Sequence, residues 1–414
     1  MVAPRGAAVP ARTELLRAIR RALATLALVV LIAPGLASQD HMRDPTDLSD
    51  WSVEQMAFRF AIFQQEGRGL QSQAEIDRTA GAPIQRGSEH AWIFQPMISA
   101  LIRQDRDTTH SLTLPIDIVT AASPDALNPD VQTNASRENE AAGLDLVTTV
   151  RDSEDVSWQL HIGFHFEEYW GNGQIGGAFI HRFADDNATL RLGIETIFDS
   201  FDPLQPDGID PGPVVNRFGT AATGSISQLL SPTTIAMASY TFTAQFGVLE
   251  TTYNSVPVVG GGRLGDRYPR TRGRHTLTGE IRQAIPETDT YLALSYRFYA
   301  DTFGALAHSS QLTATQYIGD LWVRGHYRFH HQDAPSFWMS SAPTLDAPEW
   351  LLRTSDSDLE TLDAHEGGLD VRWFFDRRGA LTAQSSYVQL GYVVYGRSTG
   401  LVMHVGSFDF GFGF

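Results

Sequence analysis

The chain of 414 residues carries a formal net charge of −17, and every basic side chain is an arginine because the sequence contains no lysine. A chain this acidic is a poor candidate for binding nucleic acid, whose phosphates attract basic surfaces. Cysteine is also absent, which excludes disulfide bonds, thiolate metal sites and cysteine nucleophiles.

The first 37 residues have the pattern of a cleaved secretory signal peptide. A region with five arginines precedes the apolar stretch Leu23–Ile32, and Pro34–Ala37 supplies a break and small residues before cleavage at Ser38. This apolar stretch is too short to span a bilayer, which takes about 20 residues. Since the segment carries a charge of +4, the exported chain would carry −21 and begin with a short periplasmic segment, residues 38–50.

After the signal, apolar and polar side chains alternate with the two-residue period of half-buried β-strands. In Asp320–His330, one face holds Leu321, Val323, Tyr327 and Phe329, and the other holds Trp322, Arg324, His326, Arg328 and His330. Strands of about ten residues suit a tilted crossing of a membrane. No stretch of about 18 apolar residues follows the signal to indicate a membrane helix. The chain is therefore predicted to be all-β, either a soluble exported protein or a membrane barrel.

Connection lengths favour the barrel. The pattern gives about sixteen strands, with fourteen to eighteen as the range, so that residues 51–414 form one transmembrane antiparallel β-barrel. Short connections such as Gln104–Thr108 alternate with long ones such as Gln65–Glu89 and Asp333–Ala364. With a periplasmic N-terminus, the short turns are periplasmic and the long loops extracellular, as in bacterial outer-membrane barrels. The alternation is imperfect, which predicts that at least one strand is missed or miscounted. A soluble sandwich or propeller would not keep this alternation, and no propeller repeat of about 40–50 residues is visible.

The last ten residues, VGSFDFGFGF, place four phenylalanines on one face of a strand: Phe408, Phe410, Phe412 and Phe414. In water such an end would favour aggregation, whereas in a barrel the four rings face lipid and the interface. The opposite face, with Asp409, Gly411 and Gly413, would let this strand pair closely with the first and close the sheet. The four phenylalanines are also predicted to form the C-terminal signal that the outer-membrane assembly machinery recognises.

Several segments resemble a family of proteobacterial outer-membrane proteins catalogued as a domain of unknown function, number three-five-seven-zero. The likeness lies in EHAWIFQPMISALI (Glu89–Ile102), DIVTAAS (Asp117–Ser123), YPRTR (Tyr268–Arg272) and the long run Leu294–Trp338. The resemblance implies export, a barrel fold and an outer-membrane location. It implies no activity and no site residues.

If the apolar faces meet lipid, the opposite faces line a lumen with many charged side chains. The candidate lumen-lining residues are Arg282, Arg297, Arg324, Arg328, Arg372, Glu280, Asp301, Asp370, Glu167 and Glu195. Two interpretations stay open. The charges satisfy one another in a structural or plugged barrel, or arginines and carboxylates form opposite walls of a pore that filters small solutes by charge. Sixteen to eighteen strands leave room for an aqueous channel.

No catalytic residue, metal site or cofactor is predicted. His326 and His330 share a face but would lie about 13 Å apart along a strand, too far for one metal ion. His308 and Ser310 share a face that meets lipid, and no Asp or Asn is placed to orient the histidine as in a catalytic triad. The glycine run in Val259–Arg263 lacks the lysine and the following helix of a phosphate-binding loop.

The sequence therefore predicts an outer-membrane β-barrel of a Gram-negative bacterium, acting as a porin-like channel for small solutes. The expected partners are outer-membrane lipid with lipopolysaccharide and the barrel assembly machinery. The alternative is a non-conducting barrel that serves as a structural or adhesion platform, or as a scaffold for a periplasmic or surface partner such as a redox protein. A transporter of hydrophobic molecules is a third possibility, which predicts an apolar patch and a plug in the lumen.

Overall fold

The computed structural model describes residues 51–67, 90–121, 139–203, 212–250, 254–259, 262–346, 348, 350–376 and 385–414. The predicted signal peptide and the segment 38–50 lie outside the described residues. Sixteen long strands and two short ones account for most of the described chain. In chain order they are β1 Ser52–Glu66, β2 Ala91–Arg103, β3 Thr108–Ala121, β4 Asn139–Arg151, β5 Val156–Phe166, β6 Trp170–Phe183, β7 Ala188–Phe201, β8 Val215–Ser231, β9 Thr234–Gly247, β10 Ser255–Pro257, β11 Arg263–Gly265, β12 Thr271–Ile285, β13 Thr290–Asp301, β14 Leu306–Ile318, β15 Leu321–Gln332, β16 Leu362–Asp376, β17 Ser386–Arg397 and β18 Val402–Gly413. A single 3-10 turn, Pro286–Thr288, joins β12 to β13.

The sixteen long strands form one closed antiparallel barrel, while β10 and β11 pair with each other outside it. The barrel closes where β1 pairs with β18, so that Phe58 lies opposite Phe410 and Phe60 opposite Phe408. Closure leaves no unpaired sheet edge in the barrel, which is how β-structure avoids edge-to-edge aggregation. The predicted all-β barrel of about sixteen strands is confirmed. No helix among the described residues is long and apolar enough to cross a membrane.

The connections divide between two rims, here named the turn rim and the loop rim. The turn rim holds the connections β2–β3, β4–β5, β6–β7, β8–β9, β12–β13, β14–β15 and β16–β17, together with both ends of the barrel. The expectation of a missed or miscounted strand was wrong, because all sixteen predicted strands are present. The alternation looked imperfect because three loop-rim connections are short, at residues 167–169, 302–305 and 398–401.

The two faces of the barrel wall differ in chemistry. Large apolar side chains such as Leu294, Leu312 and Leu369 stand on one face and are each 53% exposed. Side chains of the opposite face, carried by the five strands from β13 to β17, converge on one cavity. Convergence of this kind is possible only on the concave side of a closed wall. The apolar face is therefore the outer face and the charged face the inner one, as in transmembrane barrels.

The outer face carries a repeated tyrosine–histidine pair on four consecutive hairpins. In each pair a tyrosine hydroxyl lies 2.6–2.8 Å from the Nδ1 atom of a histidine on the next strand. The pairs are Tyr240–His275, Tyr296–His308, Tyr327–His365 and Tyr392–His404. Every histidine lies within four residues of the loop-rim end of its strand. The pairing satisfies polar groups where the wall is otherwise apolar, which matters because an unpaired polar group in hydrocarbon is costly.

Two long connections at the loop rim fold into a compact structure that we name the cap. It comprises the described parts of residues 248–270 and 333–361 together with the tight turn 302–305. One apolar cluster joins Leu249, Tyr268, Phe303 and Phe337, and a second joins Val256, Val258 and Ala342. Since each cluster draws on both long connections, the cap is held by contacts between segments roughly a hundred residues apart in sequence.

Candidate lumen site

Arginines dominate the inner face along one arc of the barrel, from β12 to β17. This arc carries eight arginines on its inner face: Arg272, Arg274, Arg282, Arg297, Arg324, Arg328, Arg372 and Arg397. Four described carboxylates lie among them, namely Glu280, Asp301, Glu366 and Asp370. The arc therefore has a surplus of positive charge. It arises because the two-residue period of each strand puts every second side chain inward.

Most of these arginines are held in place by hydrogen-bonded ion pairs. Arg324 Nη2 lies 3.1 Å from Asp370 Oδ2, and Arg328 Nη2 donates to Glu366 Oε2 at 2.6 Å. Arg282 pairs with Glu280 two residues away on the same strand. Both arginines of the two cross-strand pairs keep side chains that are 40% exposed. A fixed position combined with exposure allows these guanidinium groups to meet a solute.

Arg372 is fixed by aromatic rings rather than by a carboxylate. Its guanidinium carbon lies 3.9 Å from the centre of the Tyr387 ring and 5.2 Å from that of Trp322, and its Nε donates to Gln389 at 2.8 Å. The Tyr387 ring can lie flat here because its neighbour is Gly411, where an added Cβ would overlap the ring. The inward glycine of the C-terminal strand thus makes room for an aromatic platform under an arginine.

The opposite arc, from β3 to β7, has a different composition. Asp145, His161 and Glu195 form a chain on its inner face, with His161 Nε2 3.3 Å from Asp145 and its Nδ1 3.7 Å from Glu195. Gln174 also donates to Asp145 at 3.1 Å, and Arg191 donates to Gln159 at 3.3 Å. In the strand order of the barrel, β4 and β5 lie across the lumen from β14 and β15. An arc of carboxylates and histidines therefore faces the arginine arc.

Asp301 is the most completely buried charge of the inner wall, with a side chain that is 0% exposed. Its Oδ2 accepts hydrogen bonds from Arg272 Nε at 2.8 Å and from the Tyr299 hydroxyl at 2.7 Å. Its Oδ1 accepts from the backbone N–H groups of Phe303 at 2.9 Å and Ala305 at 3.1 Å. Arg272 also lies 4.3 Å from the centre of the Phe303 ring. One carboxylate therefore ties the inner wall to the turn that carries an aromatic residue of the cap.

A cavity of about 360 Å³ opens on the inner face near the loop rim. Its lining includes three arginines, Arg297, Arg328 and Arg397, with Tyr299 and Tyr395 beside them. The end of the cap reaches this region, because Gln332 donates to the backbone carbonyls of residues 358 and 360 at 2.8 Å. Part of the cap therefore lies against inward-facing side chains rather than outside the barrel.

Two carboxyl groups of the cap have strongly raised pKa values. Burial and the neighbouring Asp356 raise the pKa of Asp266 to about 7, and burial raises that of Asp356 to about 6. Asp266 accepts hydrogen bonds from Asn254 at 2.9 Å and from the Thr354 hydroxyl at 3.2 Å through Oδ2, while its Oδ1 is buried without a partner. The two groups that bond to Asp266 are neutral, and they do not offset the cost of burying its charge.

The structure places nine of the ten predicted lumen residues on the inner face of strands, and Glu167 just after β5, where it lies 3.1 Å from His165 Nε2. Arginines lie close to Glu280, Asp301 and Asp370, and the sequence pattern did not identify most of the ion-pair partners. The missed inner-face pairs are Arg272–Asp301, Arg217–Asp199, Arg59–Asp409 and Arg328–Glu366. Of the predicted C-terminal phenylalanines, Phe408, Phe410 and Phe412 lie on the outer face, where Phe410 and Phe412 meet edge to face at 4.3 Å. Phe414 follows the end of β18.

Comparison with solved structures finds weak likenesses. The siderophore receptor PirA from Pseudomonas aeruginosa is 12% identical, with a TM-score of 0.39 over 86% of this chain and 57% of that chain. OccK1 (OpdK) from Pseudomonas aeruginosa is 10% identical, with a TM-score of 0.40 over 88% of this chain and 98% of that chain. Both likenesses are weak, and this chain spans little more than half the length of the receptor. None of the curated protein sequences matches it.

A family match covers a larger part of the sequence than any one motif. Residues 137–393, more than half of the chain, match the family described as "Protein of unknown function (DUF3570)". The matched range runs from β4 into β17 and includes the cap. It also includes the arginine arc without Arg397, and the lining of the cavity beside Arg297 without Tyr395 and Arg397. The chain therefore belongs to the DUF3570 family, the one whose motifs its strands resemble.

Proposed function

We propose that the protein is a porin-like channel of the bacterial outer membrane through which small solutes pass. The observation that carries this proposal is the inner wall, which is lined by partly exposed charges in two opposed arcs rather than by interlocking apolar side chains. Arg324 and Arg328 keep 40% of their side chains exposed although each is ion-paired. Guanidinium groups in that state need water around them, and sixteen strands leave an interior wide enough to hold it.

The two arcs would give the channel its selectivity. A positive arc that faces carboxylates and histidines produces a field across the lumen rather than along it. Such a field orients dipolar and charged solutes and disfavours apolar ones, because an apolar solute would displace water from charged groups without replacing its hydrogen bonds. The proposal is one of passage, and it involves no catalytic step.

Single-channel recording in planar bilayers tests the proposal. Purified, folded protein should give discrete conductance steps, and a heat-unfolded sample of the same preparation should give none. In a salt gradient, neutralising Arg324 and Arg328 by Gln should shift the reversal potential away from anion preference. Arg182→Gln is the matched control. It removes the same kind of charge, but at the turn rim, where Arg182 lies beside Asp186. The absence of steps both in the folded protein and in a folded variant with a disrupted cap would refute the channel.

A non-conducting platform is the second candidate, and the cap favours it. Two apolar clusters and a short β-pair are more structure than an open mouth requires. The variant Phe337→Ala removes the ring at the centre of one cluster and separates the two candidates. Conductance that appears only in this variant would mean that the cap closes a channel, whereas no conductance in either protein would favour the platform.

The outer membrane is the proposed location, with lipopolysaccharide-bearing lipid around the apolar outer face. The four C-terminal phenylalanines, three of them on that face, would be the signal for the barrel assembly machinery. Fractionation of cells that express the full chain should place it with outer-membrane markers. Recovery in the soluble periplasmic fraction would contradict the location.

A further inference from the structure

We propose that the cavity beside Arg297 is a binding site for a small organic anion. This inference rests on the proposed channel and deepens it by naming the class of solute. The cavity, of about 360 Å³, lies between β13 and β17 and falls within the usual size range of small-molecule sites. Its lining is more polar than is usual for such sites, which suits a charged ligand.

The charge of the lining points to an oxyanion. Arg328 is paired with Glu366 and Arg397 with Asp358, at 2.6 Å in both cases. Arg297 lines the cavity, and no described residue accepts a hydrogen bond from its guanidinium. Three guanidinium groups thus meet at a cavity whose lining includes one carboxylate, that of Asp358. A guanidinium binds carboxylate and phosphate groups through two parallel hydrogen bonds, so an oxyanion is its natural partner.

Polar and aromatic groups around the arginines suit the remainder of such a ligand. Ser309 and His330 line the cavity and are bonded to each other, with the hydroxyl 2.7 Å from Nδ1. Tyr299 and Tyr395 also line it. The Tyr299 hydroxyl is engaged by Asp301 and the Tyr395 hydroxyl by Arg397. With their hydroxyls engaged, the two tyrosines can offer ring faces, which suit a hydrocarbon or aromatic body attached to the oxyanion.

Asp358 would compete with a bound anion for the guanidinium of Arg397. It belongs to the cap and holds Arg397, so it occupies a guanidinium that a ligand oxyanion would also use. Removing its charge should therefore strengthen anion binding, whereas removing the charge of Arg297 should weaken it. Opposite effects from two residues of one cavity are not expected of a general loss of fold.

Equilibrium titration of the folded full-length protein in detergent micelles tests the site. The probes are benzoate, phenyl phosphate and benzamide, the last being a neutral molecule of nearly the same shape as benzoate. At least one anion should bind, and benzamide should bind at least tenfold more weakly. Arg297→Gln should weaken anion binding at least tenfold, Asp358→Asn should strengthen it, and Arg182→Gln should leave it unchanged. Retention of the heat-modifiable folded band confirms that each variant is folded.

Equal binding of benzamide and benzoate, no binding of either anion, or unchanged affinity in Arg297→Gln would overturn the site. The titration needs no ion flow, so its outcome is separable from that of the channel. Conductance steps without anion binding would leave the channel standing and refute the site. Anion binding that depends on Arg297 without any conductance would support the site and refute the channel.

Discussion

Replacing Asp301 by Ala should open the loop rim, because this one carboxylate joins the inner wall to the cap. The change removes the acceptor of Arg272, of the Tyr299 hydroxyl and of two backbone N–H groups. Breaking a buried ion pair from one side costs about 3–5 kcal/mol, since it leaves the other charge buried and uncompensated. Arg272 is the group left behind, with a side chain only 10% exposed.

Asp301→Asn separates charge from shape. The amide keeps an oxygen for the N–H groups of Phe303 and Ala305, but its NH₂ group would face the donors of Arg272. We therefore expect a loss between that of the alanine variant and zero, roughly 1–3 kcal/mol for an unmet donor. Asp186→Ala is the matched control, because Asp186 pairs with Arg182 at an exposed site, with side chains 67% and 43% exposed. Exposed pairs contribute about 0–1 kcal/mol.

Two measurements report the loss of stability in these variants. Urea unfolding of the protein in lipid vesicles, monitored by tryptophan fluorescence, reports the free energy of unfolding of the barrel. Hydrogen exchange of residues 302–305 reports local opening of the turn. If the alanine variant loses no more stability than Asp186→Ala, and its turn exchanges as slowly as in the unchanged protein, Asp301 does not join wall and cap.

Three further changes probe other parts of the structure. Folding of the cap raises the pKa of Asp266 from 3.8 to about 7. The Asp266 carboxylate therefore binds a proton more tightly in the folded cap than in the unfolded cap. The contribution of Asp266 to the stability of the cap is therefore highest below about pH 4 and falls as the pH rises to about 7. Hydrogen exchange of the cap, corrected for intrinsic pH dependence, should be faster at pH 8 than at pH 5, and Asp266→Asn should reduce the difference. Gly411→Val should displace the Tyr387 ring and shift the reversal potential, with Gly396→Val, whose position is open, as the control. Deleting Phe414 should lower the heat-modifiable barrel in the membrane without changing export; normal levels would contradict the assembly signal.

The wall of the barrel was predictable from the sequence because lipid and water impose opposite demands on its two faces. The outward side chains of a membrane strand are mostly apolar, and in the strand Leu321–Gln332 this holds for Leu321, Val323, Tyr327 and Phe329. Strand existence depends on this local period, so all sixteen strands could be found one at a time. Their pairing followed from antiparallel hairpins with no further assumption.

Contacts between strands were harder to predict, since they depend on register. Asp301 lies directly opposite Arg274, yet its partner is the diagonal neighbour Arg272. A sequence pattern gives the face of the strand on which a residue lies, but it does not give which residue of the neighbouring strand its side chain contacts. The tyrosine–histidine pairs show both cases. In Tyr296–His308 and Tyr392–His404 the spacing is 12 residues and can be read along the chain, whereas the two other pairs span long connections.

The cap was not predictable, because its order comes from contacts far apart in the chain. Asn254 donates to Thr354 at 3.3 Å across 100 residues, and Val258 pairs with Ala342. Neither connection has a two-residue or 3.6-residue period that would mark an element. Among the described residues of the cap, the strands are three residues long, and each is too short to be recognised from its own sequence.

The unpaired charges of the inner wall support the proposed passage of solutes more than a purely structural role. A barrel that serves only as a platform gains nothing from charge that its own groups leave unpaired, since burying such charge opposes folding. Arg59 with Asp409 and Arg217 with Asp199 are complete pairs and would suit either role. Arg297 has no acceptor among the described residues, and the Nε of Arg274 is buried without one. Arg297 is exposed on the inner face, so water or an anion in the lumen can reach its guanidinium, and we therefore propose it as a point at which a solute is selected.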